Sequence, residues 1–289
     1  MGNTLIFGAA GQLGQCLAYA GQQRQMPGLI FLDEHEGNIL EPAGLAALFA
    51  WHRPAYVINC AAYTAVDKAE DEEALAYRIN CEGVENMARC CAAHGSVLIQ
   101  ISTDFVFAGT GNAPLRETDP AHPLSVYGRT KLAGEAIIPT LTDRYFILRT
   151  SWLYSEFAGN FLKTMLRLGT ERPELRVVWD QLGTPTYGVD LAGCILHIIQ
   201  SQSPDFGLYH YSNEGVASWY DFAAAIFELA EMSVKTLPIR TAEFPTKATR
   251  PAYSVLDKTK LKTTLGLAIP HWRSSLKTCL ARALAPADV

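Results

Sequence analysis

Thr4-Leu5-Ile6-Phe7-Gly8-Ala9-Ala10-Gly11-Gln12-Leu13-Gly14 sets the architecture of this chain. The apolar run reads as a buried strand, and the G-x-x-G-x-x-G turn then opens a helix from Gly11 to about Arg24. A strand, a glycine turn and a helix in that order begin a βαβ unit, whose helix N-terminus can face a dinucleotide pyrophosphate. Each glycine has its own task. Gly8 permits the turn, Gly11 lets the backbone approach phosphate, and Gly14 lets the helix pack closely.

The same alternation continues along the first half. Strands are expected at Leu29–Asp33, Tyr56–Cys60, Val97–Ser102 and Tyr145–Arg149, with helices at Pro42–Trp51, within Glu72–His94 and at Ser125–Ile138. Right-handed crossovers make this an α/β fold with a doubly wound parallel sheet, a Rossmann fold. The second half is less regular. Asn160–Leu168, Val189–Gln200 and Ser218–Glu231 read as helices, the last capped near Ser218, while Leu175–Trp179 and Leu208–Ser212 read as strands. We expect residues 1–180 to form a dinucleotide-binding domain. Residues 181–289 then form mostly a smaller C-terminal substrate domain, with some elements returning to the sheet.

Composition narrows the function. The chain has 289 residues, 49% of them hydrophobic, enough for a sizeable core. Its net charge of -5 argues against a nucleic-acid surface. No apolar run approaches a membrane span. The first strand begins with no basic leader before it, and Ile6 stands where a myristoylation signal needs Ser or Thr. The seven cysteines include no Cys-x-x-Cys pair, so reduced, buried thiols in a cytoplasmic protein are expected rather than disulfides or a metal site.

Asp33 ends the second strand and can accept from an adenosine ribose hydroxyl, which favours NAD. No Lys or Arg closely follows that strand to hold a 2′-phosphate, so NADPH and NADH both stay open. Asn38 and Ile39 can lie against the adenine. The small residues Ala61 and Ala62, in Asn59-Cys60-Ala61-Ala62-Tyr63-Thr64, let the backbone pass close to a cofactor; tight packing explains them equally well.

Tyr127-Gly128-Arg129-Thr130-Lys131 supplies the chemistry. A Tyr four residues before a Lys puts both on one helix face. A carbonyl reduction needs a hydride donor, a stabilised alkoxide and a proton donor. Tyr127 is the expected acid. Lys131 is expected to lower the phenol pKa, together with the nicotinamide charge, and to hold a ribose. Thr103 ends the fourth strand on the ligand-binding edge of the sheet and can donate to the same carbonyl.

These residues resemble the extended short-chain dehydrogenase/reductase family, and within it the reductases of dTDP-linked keto sugars. The resemblance runs over nearly the whole chain. It rests on N-C-A-A-Y-T-A-V-D-K-A-E from Asn59, S-T-D-F-V-F-A-G-T-G from Ser102 and E-T-D-P-A-H-P-L-S-V-Y-G-R-T-K-L-A-G-E from Glu117. R-T-S-W-L-Y from Arg149, N-F-L-K-T-M-L-R-L from Asn160, D-Q-L-G-T-P-T from Asp180 and the Arg-Pro at Arg250 extend it. It implies reduction of the 4-keto group of dTDP-6-deoxy-L-lyxo-4-hexulose to dTDP-L-rhamnose with NADPH or NADH, for cell-surface polysaccharide. By resemblance Thr103, Tyr127 and Lys131 are the catalytic set. Gly11, Gln12, Leu13, Asn38, Ile39, Ala61, Ala62 and Thr64 contact cofactor, again with Tyr127 and Lys131. Thr103, Asp104 and Trp152 contact the sugar nucleotide, and Arg250 is implied as a diphosphate ligand.

Three departures from the family stand out, at five positions. Asn38 stands where Asp is common, and Phe105 where many members have Tyr. Cys16, Val189 and Arg273 stand where some members carry acidic side chains that bridge a metal between subunits, so no magnesium-linked dimer is expected, with Asp190 the nearest remaining carboxylate. A monomer or weak homodimer follows. A dehydratase usually needs a second carboxylate after Asp104, where Phe105 stands, and a 4-epimerase usually has Ser in place of Thr103. A reductase for another dTDP-deoxysugar stays open. So does a non-catalytic NADP-binding subunit like the regulatory subunit of methionine adenosyltransferase.

Overall fold

The structure, a computed structural model, describes residues 2–285. In the first half strands and helices alternate as β1 (Thr4–Phe7), α1 (Gln12–Gln23), β2 (Leu29–Leu32), α2 (Pro42–His52) and β3 (Tyr56–Asn59). Then come α3 (Val66–Ala69), α4 (Glu73–Tyr77), α5 (Gly83–His94), β4 (Val97–Thr103), α6 (Val126–Leu141) and β5 (Tyr145–Thr150). The expected strands and helices of this half form with ends shifted by a few residues at most, except for the one long helix expected within Glu72–His94.

One sheet of six strands, ordered β10-β5-β4-β3-β1-β2, organises the molecule, with β10 at Gly207–His210 contributed from the second half. Every neighbouring pair in it is parallel. Alternate residues of β1 face opposite sides. Leu5 and Phe7 join Leu45, Phe49 and Met87 under α2 and α5, whereas Ile6 joins Leu17, Leu191 and Ile195 under α1 and α8 (Gly188–Ser201). Both faces are covered, which is why these strands are apolar throughout rather than alternating. The chain order reverses between β1 and β3, and the carboxyl ends of those strands flank the crevice where such sheets bind ligands.

The remaining elements are β6 (Leu153–Tyr154), α7 (Phe161–Glu171), β7 (Glu174–Val178), β8 (Leu182–Gly183), β9 (Thr186–Tyr187), β11 (Ala217–Ser218), α9 (Trp219–Leu229), β12 (Lys235–Ile239), α10 (Thr259–Leu265) and α11 (Trp272–Ala283). A second core lies among them, with Leu162, Phe222, Ile226 and Leu276 fully buried between α7, α9 and α11. Ser218 caps α9 in a reciprocal capping box with Asp221.

The expected long helix over Glu72–His94 is interrupted. Residues Arg78–Glu82 form a wider π turn between α4 and α5. That turn carries Asn80, which is 1% exposed. Its side chain accepts from the Tyr63 N–H at 2.9 Å and donates to the Thr130 hydroxyl at 3.1 Å. A π turn at a functional wall is a recurrent device. Here it ties the loop after β3 to α6. Its carbonyl presses on Gly134 of α6, where a Cβ would collide with it.

Candidate active site

The glycine turn forms as its residues dictate. Gly8 has φ +75°, and a Cβ there would stand 2.6 Å from the Ala61 nitrogen. Gly14 lies equally close to Ala9, so a Cβ would stand 2.5 Å from its carbonyl oxygen. These two glycines shape the turn, while Gly11, Gln12 and Leu13 line a cavity of about 650 Å³ above the carboxyl ends of the strands. Gly11 offers no side-chain cap to α1, so the first-turn N–H groups stay available to an anion.

Ala61, Ala62 and Thr64 form the next wall of the same cavity. Asn59 fixes that wall: its Oδ1 accepts from the Ala61 N–H at 3.0 Å, and its Nδ2 donates to Gln100 at 2.8 Å. A glycine cradle, an uncapped helix end and a wall of small residues fit the pyrophosphate and nicotinamide end of a dinucleotide.

Thr103, Asp104, Tyr127, Lys131, Trp152 and Arg250 line this cavity too. Ser125 caps α6 by accepting from the Gly128 N–H at 3.2 Å, and Glu70 accepts from the Val126 N–H at 2.8 Å. The first turn of α6 is thereby anchored where Tyr127 projects. Tyr127 meets Phe105 edge to face, with ring centroids 5.7 Å apart.

Electrostatics differ from the sequence expectation at one point. The Tyr127 phenol is pushed up to about 12 by burial, with the Thr103 hydroxyl pulling it down and Asp104 raising it. Lys131 donates its Nζ hydrogen to the Ile101 carbonyl at 2.7 Å. Burial lowers Lys131 to about 8, against the raising influence of Glu135 and Cys60. The result is a phenol that keeps its proton at neutral pH.

Asp104 is 2% exposed, and burial raises it to about 6 against the lowering influence of nearby Ser254 and Thr103. The Thr103 hydroxyl donates to Asp104 Oδ1 at 3.1 Å, while Asp104 Oδ2 has no partner. Hydroxyl and carboxyl are thus joined by a hydrogen bond, and the Tyr127 phenol lines the same cavity. Beneath it Arg149 forks onto Glu135, with contacts of 3.0 and 2.6 Å, and Ser102 donates to the same carboxylate.

Trp152 has a left-handed backbone, φ +47°, unusual for a bulky residue and characteristic of functional sites. Its ring lies flat on Trp219, centroids 3.6 Å apart and planes 7° from parallel. Trp219, Phe161 and Arg250 also line a neighbouring cavity of about 760 Å³ between α7, β7 and the loop after β12.

Asp33, Asn38 and Ile39 do not line the main cavity. One Asp33 oxygen accepts from the His35 and Glu36 N–H groups at 2.8 and 2.9 Å, closing a turn. Asn38 accepts from the Leu40 N–H at 3.0 Å. Ile39 is buried against Gly83. Trp219, Asn80 and the Glu135–Arg149 pair escaped the sequence reading. Arg149 and Glu135 stand in blocks quoted for the family resemblance, but nothing local marks them as partners.

Comparison with known proteins agrees with this geometry. Residues 2–285 match the family described as RmlD substrate binding domain. The chain is 41% identical to a dTDP-4-dehydrorhamnose reductase of Aggregatibacter actinomycetemcomitans, over 98% of this chain and 100% of the relative. Among solved structures it resembles a dTDP-4-dehydrorhamnose reductase of Clostridium acetobutylicum, with TM-score 0.91, 43% identity and coverage of 97% and 99% of the two chains. It also resembles the Bacillus anthracis dTDP-4-dehydrorhamnose reductase in complex with NADP, with TM-score 0.93, 40% identity and coverage of 98% and 100%.

Proposed function

The chain belongs to the RmlD substrate binding domain family, and from that premise we propose that it reduces the 4-keto group of dTDP-4-dehydro-L-rhamnose to give dTDP-L-rhamnose, using NADPH or NADH. The observation that carries this reading is the meeting of Thr103, Tyr127 and Lys131 with the glycine turn in one cavity. Bound NAD(P)H supplies the hydride to the carbonyl carbon. Gly11, Gln12 and Leu13 take the pyrophosphate on the helix N-terminus, and Lys131 takes a ribose hydroxyl. The division of labour along the chain belongs to the same proposal, with residues 1–180 serving the cofactor and most of 181–289 the sugar nucleotide.

Tyr127 donates its proton to the carbonyl oxygen as that oxygen gains charge, and Thr103 turns its one hydroxyl proton from Asp104 to the same oxygen as a second donor. A phenol at about 12 arrives fully protonated, and a developing alkoxide is basic enough to take that proton. Asp104 accepts from a sugar hydroxyl through its free oxygen, and Trp152 lies against the ring. Arg250 stands where the two cavities meet. It suits the diphosphate there, with the nucleoside in the neighbouring cavity. Phe105 supplies only apolar contact where a hydroxyl is common in relatives.

A monomer or weak homodimer without a metal bridge is part of the same proposal, as is a cytoplasmic location. Cys16 is fully buried, Arg273 pairs with Glu228, and Asp190 accepts from Asn213 at 2.8 Å and Ser275 at 2.5 Å. No helix among the described residues is long and apolar enough to cross a membrane.

The test is consumption of NADPH or NADH that depends on the keto-sugar nucleotide. Tight cofactor binding without turnover would favour the regulatory-subunit reading instead.

A further inference from the structure

Arg250 is clamped on one edge and free on the other. Its Nη1 donates to Asp67 Oδ1 at 3.2 Å and its Nη2 to Asp67 Oδ2 at 2.7 Å. Nη1 also donates to the Ala248 carbonyl at 3.2 Å. A guanidinium carries five N–H groups in a planar fork. The Nε hydrogen and the outer Nη2 hydrogen remain without a partner among the described residues. They lie side by side, so Asp67 fills the end-on fork and leaves the side-on fork open. That fork has the spacing that matches two phosphate oxygens.

Asp67 is itself well anchored. It sits on α3, and its Oδ1 also accepts from the Ala248 N–H at 3.0 Å. Asp71 pairs with Lys247, a second stitch to the same loop. On the other side Glu70 caps the catalytic helix. The segment after β3 therefore braces the loop of Arg250 against α6. The Asp67 carboxylate is 45% exposed and the Arg250 side chain 22%, so the pair adds little to stability. Its consequence is orientation.

We propose that Asp67 is a positioning residue for substrate: it holds Arg250 so that the free fork grips the diphosphate of the sugar nucleotide where the two cavities meet. The inference rests on the sugar-nucleotide reading given above. The carboxylate charge opposes a second anion, but water screens it at that exposure. Release of the guanidinium would return a long side chain to many rotamers, so loss of orientation outweighs loss of repulsion.

The test is calorimetric titration of dTDP into wild type, Asp67→Asn, Asp67→Glu, Arg250→Ala and the Asp67→Asn/Arg250→Ala double variant, with NADPH binding measured on each. Asp67→Asn should weaken dTDP about tenfold, Asp67→Glu should stay within about threefold of wild type, and the double variant should match Arg250→Ala. NADPH binding should be unchanged throughout. The inference is overturned if Asp67→Asn binds dTDP as well as wild type or better, or if its loss adds in full to that of Arg250→Ala. A parallel loss of NADPH binding would overturn it too, by making Asp67 a prop of the whole wall. A wild type that binds NADPH and no dTDP would remove the sugar-nucleotide reading itself, and this inference with it.

Discussion

The ammonium of Lys131 donates to the backbone carbonyl of Ile101 at 2.7 Å, which ties the catalytic helix to the end of β4. Burial has brought its pKa down to about 8. Lysine is cationic below its pKa and neutral above it, so its grip on a ribose hydroxyl should fade as pH rises through about 8. Tyr127, near 12, is still protonated there and does not limit this range. We expect kcat/KM for NADPH to fall on the alkaline side with a midpoint near pH 8, and Lys131→Arg to lack that limb because arginine stays charged. A flat wild-type profile to pH 10 would contradict this role.

Tyr127→Phe removes the proton donor but keeps a ring against Phe105. Turnover should drop by about two to four orders of magnitude, the usual worth of a general acid. The dissociation constant of NADPH, read by fluorescence titration, should change little. Near-normal turnover would take Tyr127 out of the acid role.

Asp104 is held in a place that costs stability. Its folded pKa, raised by burial to about 6, exceeds the unfolded value of 3.8, so the folded state binds more protons between those two values. Stability from this group therefore falls as pH rises from about 4 to about 6 and stays low above. The penalty at pH 8 is at most about 3 kcal/mol. Asp104→Asn should be more stable than wild type to urea at pH 8, with the gain shrinking toward pH 4, and should bind sugar nucleotide more weakly. A variant that gains stability equally at both pH values would refute the assignment.

Metal should not govern assembly. Cys16 is buried in the core and Asp190 is occupied by Asn213 and Ser275. Light scattering should give the same mass with EDTA and with excess magnesium. A dimer that forms only with magnesium would contradict this.

The doubly wound sheet was legible because β1, β3, β4 and β5 are apolar runs bounded by glycine, proline or polar residues. Catalytic spacing was legible too, since a helix fixes where residues four apart must point. Other features depend on partners distant in sequence. The π turn exists because Asn80 answers Tyr63 and Thr130, and the wide turn is unreadable from Arg78–Glu82 alone. β12 contains Pro238, which argues against a strand until β12 is seen to pair on one side only, with β7. Among protein groups alone, burial raises the Tyr127 phenol, and burial is a property of the whole fold that no local spacing reveals. Trp219 carried no local mark, yet it stacks on Trp152.

The most direct measurement uses NADPH deuterated at nicotinamide C4 on the transferred side, dTDP-4-keto-6-deoxy-D-glucose and a 3,5-epimerase, with the product read by NMR. The expected result is dTDP-L-rhamnose carrying deuterium at sugar C4, formed only when the epimerase is present. Recovery of the keto sugar with no deuterated product, from enzyme shown to bind NADPH, would contradict the reduction proposed for Thr103, Tyr127 and Lys131.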